Sequence, residues 1–282
     1  MRARRWCYNR RPVVIPRSGL PSAQTDNSVA RDRSKVKKFL GVILTPLFLL
    51  VWGLLLNLFH VAQVIAFRGF GANAHRRCVD LLNFSLIHAL WLLGTRIGVR
   101  YTQALPADRP IIFVANHQNK LDIPGISWYL RRYAPKFVSK IELGKGIPSI
   151  SYNLRHSGAA LIDRSDARQS LREIGRLGQL IEQTRSSAVI FPEGTRSTSG
   201  ELQPFATGGI KILLKKTPSA LVVPVYIHGT WKLNRYGRFP MAVGERIGWT
   251  VLPAIEPGGR TPDEVAALAE QSIRQEFAAQ VG

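Results

Sequence analysis

The first apolar zone of this chain contains a long run without charge. No charged residue occurs between Phe39 and Phe67, and at ~1.5 Å per helical residue such a run can cross ~30 Å of hydrocarbon. Polar or helix-bending residues interrupt the run at four places: Pro46, Asn57, His60 and Gln63. The pattern predicts a helix in contact with a membrane, although not a simple apolar span.

A second apolar stretch, from Leu81 to Leu93, lies a short distance further along the chain. Basic residues flank both stretches: Lys35, Lys37, Lys38, Arg68, Arg76, Arg77, Arg96 and Arg100. Positive flanks favour the cytoplasmic side of a membrane, so we expect an N-terminal hydrophobic two-helix attachment motif that lies in one leaflet across residues 39–96. Buried core helices are the alternative. A cleaved signal peptide is not expected, because the preceding basic region is too long.

Beyond Arg100 the apolar residues form short runs separated by loops or helical segments. The predicted strands are Ile111–Ala115, Phe137–Ser139, Ala159–Ile162, Ala188–Phe191 and Leu221–Ile227. Apolar residues three and four apart predict a helix from Gln169 to Thr184. Near the end of the chain, Thr261, Pro262 and Glu264 match the start of a capped helix. This alternation predicts an α/β domain over residues 97–282, with a mixed central sheet flanked by helices.

The charge of the chain is strongly positive and unevenly distributed. The formal net charge is +21, and eleven of the 39 Lys and Arg residues lie before residue 39. We expect residues 1–38 to form a basic disordered tail. Such charge suits nucleic acid or an anionic membrane surface. A nucleic-acid-binding module would interleave aromatic with basic residues, but the tail offers only Trp6 and Tyr8, so no nucleic-acid partner is expected.

Neither a metal centre nor a bound cofactor is expected from the motifs. The two cysteines, Cys7 and Cys78, are too few for a disulfide framework or a Cys-rich metal site. The sequence contains no nucleotide-binding phosphate loop and no Gly-x-Ser-x-Gly motif. The candidate chemistry therefore rests on polar side chains that follow the predicted strands.

The segment from Asn116 to Asp122 follows the predicted strand Ile111–Ala115 directly, at a strand end where α/β enzymes usually place their active sites. Its His117 could take a proton from a hydroxyl group, and Asp122 could fix the tautomer of the imidazole. A straight helix would point these two side chains ~140° apart. We therefore expect a loop that enters a helix near Asp122. A structural hydrogen-bonded pair is the alternative.

A second polar motif follows the predicted strand Ala188–Phe191. It supplies a carboxylate, a flexible glycine, a hydroxyl and a guanidinium in succession: Glu193, Gly194, Thr195 and Arg196. Arginine can make paired hydrogen bonds to phosphate oxygens, whereas a carboxylate repels phosphate. Glu193 is therefore assigned to a hydroxyl of the ligand, to the orientation of Arg196, or to a structural role.

The two strand-end motifs, roughly seventy residues apart, resemble those of the glycerolipid acyltransferase family, which includes bacterial 1-acylglycerol-3-phosphate acyltransferases. The segments Gly158–Arg164 and Val222–Val225 are similar to two further motifs of that family, and all four occur in family order. The resemblance covers roughly residues 105–230. The stretch Gly229–Val243 has no motif that we can interpret.

The resemblance implies a role for each matching residue. His117 would be the general base and Asp122 its orienting partner. The phosphate and glycerol of the acceptor would be bound by Arg164, Glu193, Gly194, Thr195 and Arg196. Pro224 would shape the acyl-donor side, and Lys140 would lie near the substrate cleft. Alternatives remain for two of them: Arg164 could pair with Asp163 or Asp166, and Lys140 could be a surface residue.

The resemblance further implies the reaction and its setting. A fatty acyl group would pass directly from acyl-CoA or acyl carrier protein to the sn-2 hydroxyl of 1-acylglycerol 3-phosphate, without an acyl-enzyme. Another lysolipid acceptor, such as lyso-ornithine lipid, is the alternative. Backbone N–H groups near Gly194 or after Asp122 would stabilise the oxyanion. The expected partners are a membrane lipid acceptor and an acyl carrier protein, and the expected location is the cytoplasmic face of a bacterial inner membrane.

Overall fold

The structure is a computed structural model that describes the backbone of residues 23–281 and the side chains of residues 34–280. It begins with the helix α1, Ala23–His88, which is broken at Gly71 (φ 81°, ψ −172°). The two arms of α1 contact each other, because Nε1 of Trp52 donates a hydrogen bond of 3.3 Å to the carbonyl oxygen of Leu86. The use of these arms as a membrane-attachment motif stays a prediction.

The prediction of a disordered tail over residues 1–38 is wrong for the part that the structure describes. Residues 1–22 lie outside the described residues, whereas α1 already begins at Ala23. No proline or glycine occurs between Pro21 and Gly41. The helix can therefore continue backwards from the apolar run without a residue that breaks it.

The apolar surface of α1 is largely uncovered. Within the described residues, one helical region, Ser34–Leu93, is long and apolar enough to cross a membrane, and only 17% of its most apolar window is buried. Large apolar side chains such as Phe39, Leu54, Leu58 and Phe70 are exposed. A helix of a soluble core would cover such side chains, so this surface is consistent with association with a membrane.

The domain that follows α1 is built on a sheet of seven strands. The strands are β1 Arg96–Tyr101, β2 Ile111–Ala115, β3 Pro135–Lys140, β4 Ala160–Ile162, β5 Ser187–Ile190, β6 Leu221–His228 and β7 Arg246–Val251. Their order across the sheet is β1-β7-β6-β2-β5-β3-β4. Only β6 and β7 pair in antiparallel fashion. The predicted mixed sheet is therefore confirmed.

Helices cover both faces of the sheet. They are α2 Asp122–Tyr129, α3 Ile150–His156, α4 Ala167–Thr184, α5 Gly208–Lys216 and α6 Pro262–Val281. One apolar core joins α1 and α2 to the sheet, and a second core joins α4, α5 and α6 to the opposite face. On the first face α2 approaches β7 closely, since a Cβ added to Gly125 would lie 2.0 Å from Cζ2 of Trp249.

Five of the strands and the final helix occur where the sequence predicts them. At the start of α6, the N–H of Thr261 donates to Oε2 of Glu264 at 2.7 Å, and the N–H of Glu264 donates to Oγ1 of Thr261 at 3.3 Å, so the capping box is confirmed. The strands β1 and β7 are missing from the prediction. β1 begins at Arg96 and carries two arginines among its six residues, so it resembles the basic flank of the preceding apolar stretch.

Candidate active site

The candidate residues follow the carboxyl ends of four neighbouring parallel strands. The strands β2, β5, β3 and β4 lie side by side in this order and run in the same direction. His117 follows β2, Glu193–Arg196 follow β5, Lys140 ends β3 and Arg164 follows β4. The topology therefore brings all of these residues to one edge of the sheet, where parallel α/β sheets bind their ligands.

His117 and Asp122 form a hydrogen-bonded pair at this edge. Nδ1 of His117 lies 2.8 Å from Oδ2 of Asp122. The chain leaves β2, turns through residues 116–121 and begins α2 at Asp122. The turn brings together two side chains that one straight helix would separate, as the sequence predicts.

The carboxylate of Asp122 is fully buried and accepts hydrogen bonds at both oxygens. The backbone N–H groups of Gln118 and Asn119 donate to Oδ2 at 2.7 and 2.8 Å. The hydroxyl of Thr230 donates to Oδ1 at 2.6 Å. Because every neighbour donates, Asp122 fits its site as a carboxylate. Nδ1 of His117 then carries the proton, which leaves Nε2 as the basic nitrogen.

Phe191 fixes the plane of the His117 imidazole. The rings of His117 and Phe191 are stacked, with 4.2 Å between centroids and 22° between planes. The side chain of His117 keeps 16% of its surface exposed. No hydrogen bond occupies its Nε2 within residues 34–280. The basic nitrogen is therefore accessible to a substrate.

Two asparagines hold the loop that carries His117. The side chain of Asn116 donates to the carbonyl oxygen of Ile227 and accepts from the N–H of the same residue, at 2.9 and 2.7 Å. Nδ2 of Asn119 donates to the carbonyl oxygen of Thr230 at 3.0 Å. These buried contacts attach the loop to β6 and to the segment after it. The sequence motifs predict no role for Asn116, Asn119 or Thr230.

Glu193 supports the same loop from the other side. Its Oε1 accepts a hydrogen bond of 3.3 Å from the backbone N–H of His117, whose carbonyl oxygen accepts one of 2.8 Å from the N–H of Ser197. Burial raises the pKa of Glu193 to about 7, against hydrogen bonds from the backbone of His117 and Gln203. No ion pair with Arg196 occurs in the described region. The geometry favours the structural role among the alternatives for Glu193.

The rest of the second motif lies at the surface. Gly194, with φ 65°, turns the chain after β5, and its N–H donates to the carbonyl oxygen of Phe191 at 3.1 Å. Thr195 and Arg196 are exposed beside the His117 loop. Within the described residues no ion pair occupies Arg196, so its guanidinium is available to an anion.

Arg164 is also exposed, and the alternative of an ion pair with a nearby aspartate is not observed. Asp163 accepts from the hydroxyl and the N–H of Ser165, and Asp166 caps α4 by accepting from the N–H of Gln169 at 2.9 Å. Arg164 thus stands at the same edge as His117 without an acidic partner among the described residues.

Lys140 and Pro224, which are predicted to bind substrate, make contacts within the protein itself. Nζ of Lys140 forms a surface ion pair of 2.7 Å with Oε1 of Glu142. Pro224 is buried inside β6 opposite Val114, and its carbonyl oxygen accepts from the N–H of Leu252 at 2.9 Å. Lys140 is therefore a surface residue, and Pro224 lies in the core of the sheet. A contact of either residue with substrate stays a prediction.

Comparisons with known proteins show similarity to acyltransferases. A family model described as Acyltransferase matches residues 96–228. The mouse 1-acyl-sn-glycerol-3-phosphate acyltransferase alpha is 27% identical over 196 residues, which cover 70% of this chain and 67% of the mouse protein. The human protein of the same name is 26% identical, and the aligned region covers 68% of this chain and 66% of the human protein. The chain therefore spans about two thirds of the length of these relatives.

A plant relative and a solved structure extend the comparison. The chloroplastic 1-acyl-sn-glycerol-3-phosphate acyltransferase BAT2 of Brassica napus is 35% identical over 50% of this chain and 40% of its own. The crystal structure of the 1-acyl-sn-glycerophosphate acyltransferase PlsC from Thermotoga maritima superposes with a TM-score of 0.68 at 24% identity. It covers 88% of this chain and 98% of that one, and it supports the fold.

Proposed function

We propose that this chain transfers a fatty acyl group to the sn-2 hydroxyl of 1-acylglycerol 3-phosphate, which gives phosphatidic acid, because residues 96–228 match the Acyltransferase family model and the chain is similar to 1-acyl-sn-glycerol-3-phosphate acyltransferases. The proposed donor is the thioester of acyl-CoA or of acyl carrier protein. The observation that carries the proposal is the hydrogen bond between Nδ1 of His117 and buried Asp122, with Nε2 left accessible.

The transfer proceeds in two steps that need no covalent enzyme intermediate. Nε2 of His117 takes the proton of the acceptor hydroxyl while the oxygen attacks the thioester carbonyl. Asp122 stabilises the resulting imidazolium through Nδ1. The tetrahedral intermediate then expels the thiolate, which receives the proton from Nε2. The products are the ester and the free thiol, and His117 returns to its neutral form.

The negative charge on the carbonyl oxygen needs donors that have no other partner. The N–H groups of Gln118 and Asn119 already donate to Asp122, and that of Gly194 donates to Phe191. Within the described residues, the backbone N–H groups of Thr195 and Arg196 make no hydrogen bond. We assign the oxyanion site to these two groups.

The acceptor phosphate is assigned to Arg196 and Arg164. Arg196 follows β5, the strand next to β2, whereas Arg164 follows β4, three strands from β2. At ~4.8 Å per strand the base of Arg164 is ~14 Å from the catalytic strand. Arg196 is therefore the primary phosphate ligand, and Arg164 reaches towards it from further along the edge. The exposed apolar side chains of α1 hold this edge at the cytoplasmic surface of the membrane that contains the acceptor.

The test measures release of free thiol by the full chain in detergent. Acyl-CoA or acyl carrier protein serves as donor, and lysophosphatidic acid or a phosphate-free lysolipid as acceptor. His117→Ala should lower the rate at least ~10²-fold, whereas His88→Ala, outside the site, should not. Transfer restricted to phosphate-free acceptors would favour a lysolipid such as lyso-ornithine lipid. A rate unchanged in His117→Ala would refute the mechanism.

A further inference from the structure

A cleft of about 490 Å³ opens between the second arm of α1, the end of β1 and the end of α2. Its lining contains three arginines, Arg76, Arg131 and Arg132, together with one carboxylate, Asp80, and three tyrosines. Three guanidinium groups against one carboxylate leave the cleft strongly positive. The mechanism proposed above uses none of these residues.

This cleft lies at the opposite edge of the sheet from His117. Tyr101 ends β1 and Tyr133 lies just before β3, and both line the cleft. β1 runs antiparallel to β2, since β1 is parallel to β7 and β7 is antiparallel to β6. The end of β1 and the start of β3 therefore share the edge where β2 begins. The five residues of β2 span ~16 Å, so the cleft and the catalytic site are separate.

The cationic groups of the cleft are available to a ligand. The guanidinium of Arg131 stacks 3.7 Å from the centre of the Trp128 ring, and its Nη1 donates to the carbonyl oxygen of Trp128 at 2.8 Å. This contact orients Arg131 and leaves most of its five N–H donors unused. In the part of the chain that the structure describes, Arg76, Arg132 and Asp80 form no close ion pair. Burial raises the pKa of Asp80 to about 6, and the charges of Arg76 and Arg131 oppose this rise.

A further cation reinforces the field of the cleft. Lys136, in β3, is only partly exposed, and its pKa is lowered by burial and by the neighbouring charge of Arg76. No carboxylate within the described range pairs with Lys136. An anion placed between Arg76, which is exposed, and the partly buried Lys136 would stabilise both cations.

One alternative explains only part of the cluster. A cation at the end of α2 is favoured by the helix dipole, and this accounts for Arg131. It does not account for Arg76, which comes from α1, or for Arg132, which makes no hydrogen bond among the described residues. A binding site for an anion accounts for all three.

Apolar surface adjoins the cleft on the side of α1. The ring of Phe84 lies 4.8 Å from that of Trp128, which in turn carries the guanidinium of Arg131. Leu81 and Trp91 of the same region are 53% and 63% exposed. Along this surface, apolar side chains are followed by a tryptophan and then by a guanidinium. A bilayer has the same order of layers, from acyl chains through the interface to the phosphate groups.

We propose that this cleft binds the phosphate group of an anionic ligand, and that the ligand is the headgroup of a membrane phospholipid. Arg76, Arg131 and Arg132 donate hydrogen bonds to the phosphate oxygens, and the apolar surface of Phe84 and Leu81 contacts the acyl chains. Occupation of this site, at the far edge from His117, fixes the orientation of the α/β domain on the bilayer. The proposal relies on the attachment of α1 to a membrane.

The test compares two arginines of the cleft, Arg76 and Arg132, with Arg77, which is adjacent to Arg76 on α1. The full chain is bound to phosphatidylcholine vesicles with and without phosphatidylglycerol at fixed ionic strength, and the preference for anionic vesicles is the readout. Arg76→Gln and Arg132→Gln should each lower this preference about tenfold, as expected for a hydrogen bond between charged groups. Arg77→Gln is the matched control, because Arg77 is exposed on α1 but does not line the cleft. If the arginines act only through general electrostatic attraction to the anionic surface, each of the three substitutions should lower the preference for anionic vesicles about fivefold.

The source of the phosphate is tested with inorganic phosphate. For a lipid headgroup, millimolar inorganic phosphate should neither abolish the preference nor raise the melting temperature of the protein in neutral detergent. Phosphate could instead raise the melting temperature of the native chain but not that of Arg76→Gln, while the variants leave the vesicle preference unchanged. The cleft would then bind phosphate, but its ligand would not be a lipid headgroup. Equal losses in the Arg76, Arg77 and Arg132 variants would overturn the site. Acyl transfer is not measured, so none of these outcomes affects the proposed reaction.

Discussion

The hydroxyl of Thr230 donates a hydrogen bond of 2.6 Å to Oδ1 of Asp122, the carboxylate oxygen that His117 does not contact. Both groups are fully buried. The bond links α2 to the segment after β6, and it fixes the rotation of the carboxylate that orients the imidazole. Thr230 is therefore a positioning residue that acts on His117 through Asp122.

Removal of this hydroxyl should reduce activity through the geometry of the pair. We expect Thr230→Val to lower kcat about tenfold, as for the loss of a hydrogen bond to a charged group, with little change in KM for the acceptor. Thr230→Ser keeps the donor and should restore most of kcat. Steady-state kinetics of both variants provide the measurement, and equal losses in the two would argue for a packing role instead.

Asp122→Asn should impair both activity and stability. The NH₂ group of the amide would face either the two backbone N–H groups that donate to Oδ2 or the hydroxyl that donates to Oδ1, so at least one donor would lose its acceptor. We expect the free energy of unfolding to fall by about 3 kcal/mol, and kcat to fall at least ~10²-fold because the tautomer of His117 is no longer fixed. Denaturant unfolding and kcat are the measurements. Asp108→Asn, at an exposed position, should change neither.

Glu193 should make stability depend on pH near neutrality. Burial raises its pKa to about 7 from an ordinary value of 4.5, so the folded protein binds this proton more tightly than the unfolded chain does. Its contribution is then most favourable at pH 4.5 and below, and declines as the pH rises towards 7.

The matched variant for this effect is Glu193→Gln, which keeps an acceptor for the N–H of His117. Between pH 5 and pH 8, the unfolding free energy of the native chain should decrease by about 2.5 kcal/mol relative to that of the variant. Unfolding curves at a series of pH values give the difference directly. Parallel profiles for the two proteins would show that Glu193 does not titrate in this range.

The two arginines of the proposed phosphate site should differ in importance. Arg196 follows the strand beside that of His117, whereas Arg164 follows the edge strand. Arg196→Gln should raise KM for lysophosphatidic acid about tenfold, and Arg164→Gln should raise it less. Arg172→Gln on α4 serves as a control of equal charge. Phosphate-free acceptors should be used equally well by all variants, and a larger effect at Arg164 would reverse the assignment.

Much of the fold follows from patterns within short segments. The runs that became β2 and β6 are apolar throughout, which is typical of strands buried on both faces, and the capping box of Thr261 and Glu264 marks the start of α6. By contrast, β1 and β7 each begin with an arginine. β1 pairs with β7, and β7 pairs with both β1 and β6. Because these two strands are defined by their pairing, a local sequence pattern could not predict them.

The sequence alone was enough to predict the pair of His117 and Asp122, because these residues lie within one turn of chain after a strand, and it also predicted the long apolar run. The surroundings of the pair depend on the tertiary structure. Thr230 meets Asp122 across 108 residues, and Glu193 reaches the His117 loop across 76. The cleft of Arg76 and Arg131 likewise combines distant segments. Such contacts depend on the order of strands in the sheet, which no local periodicity encodes.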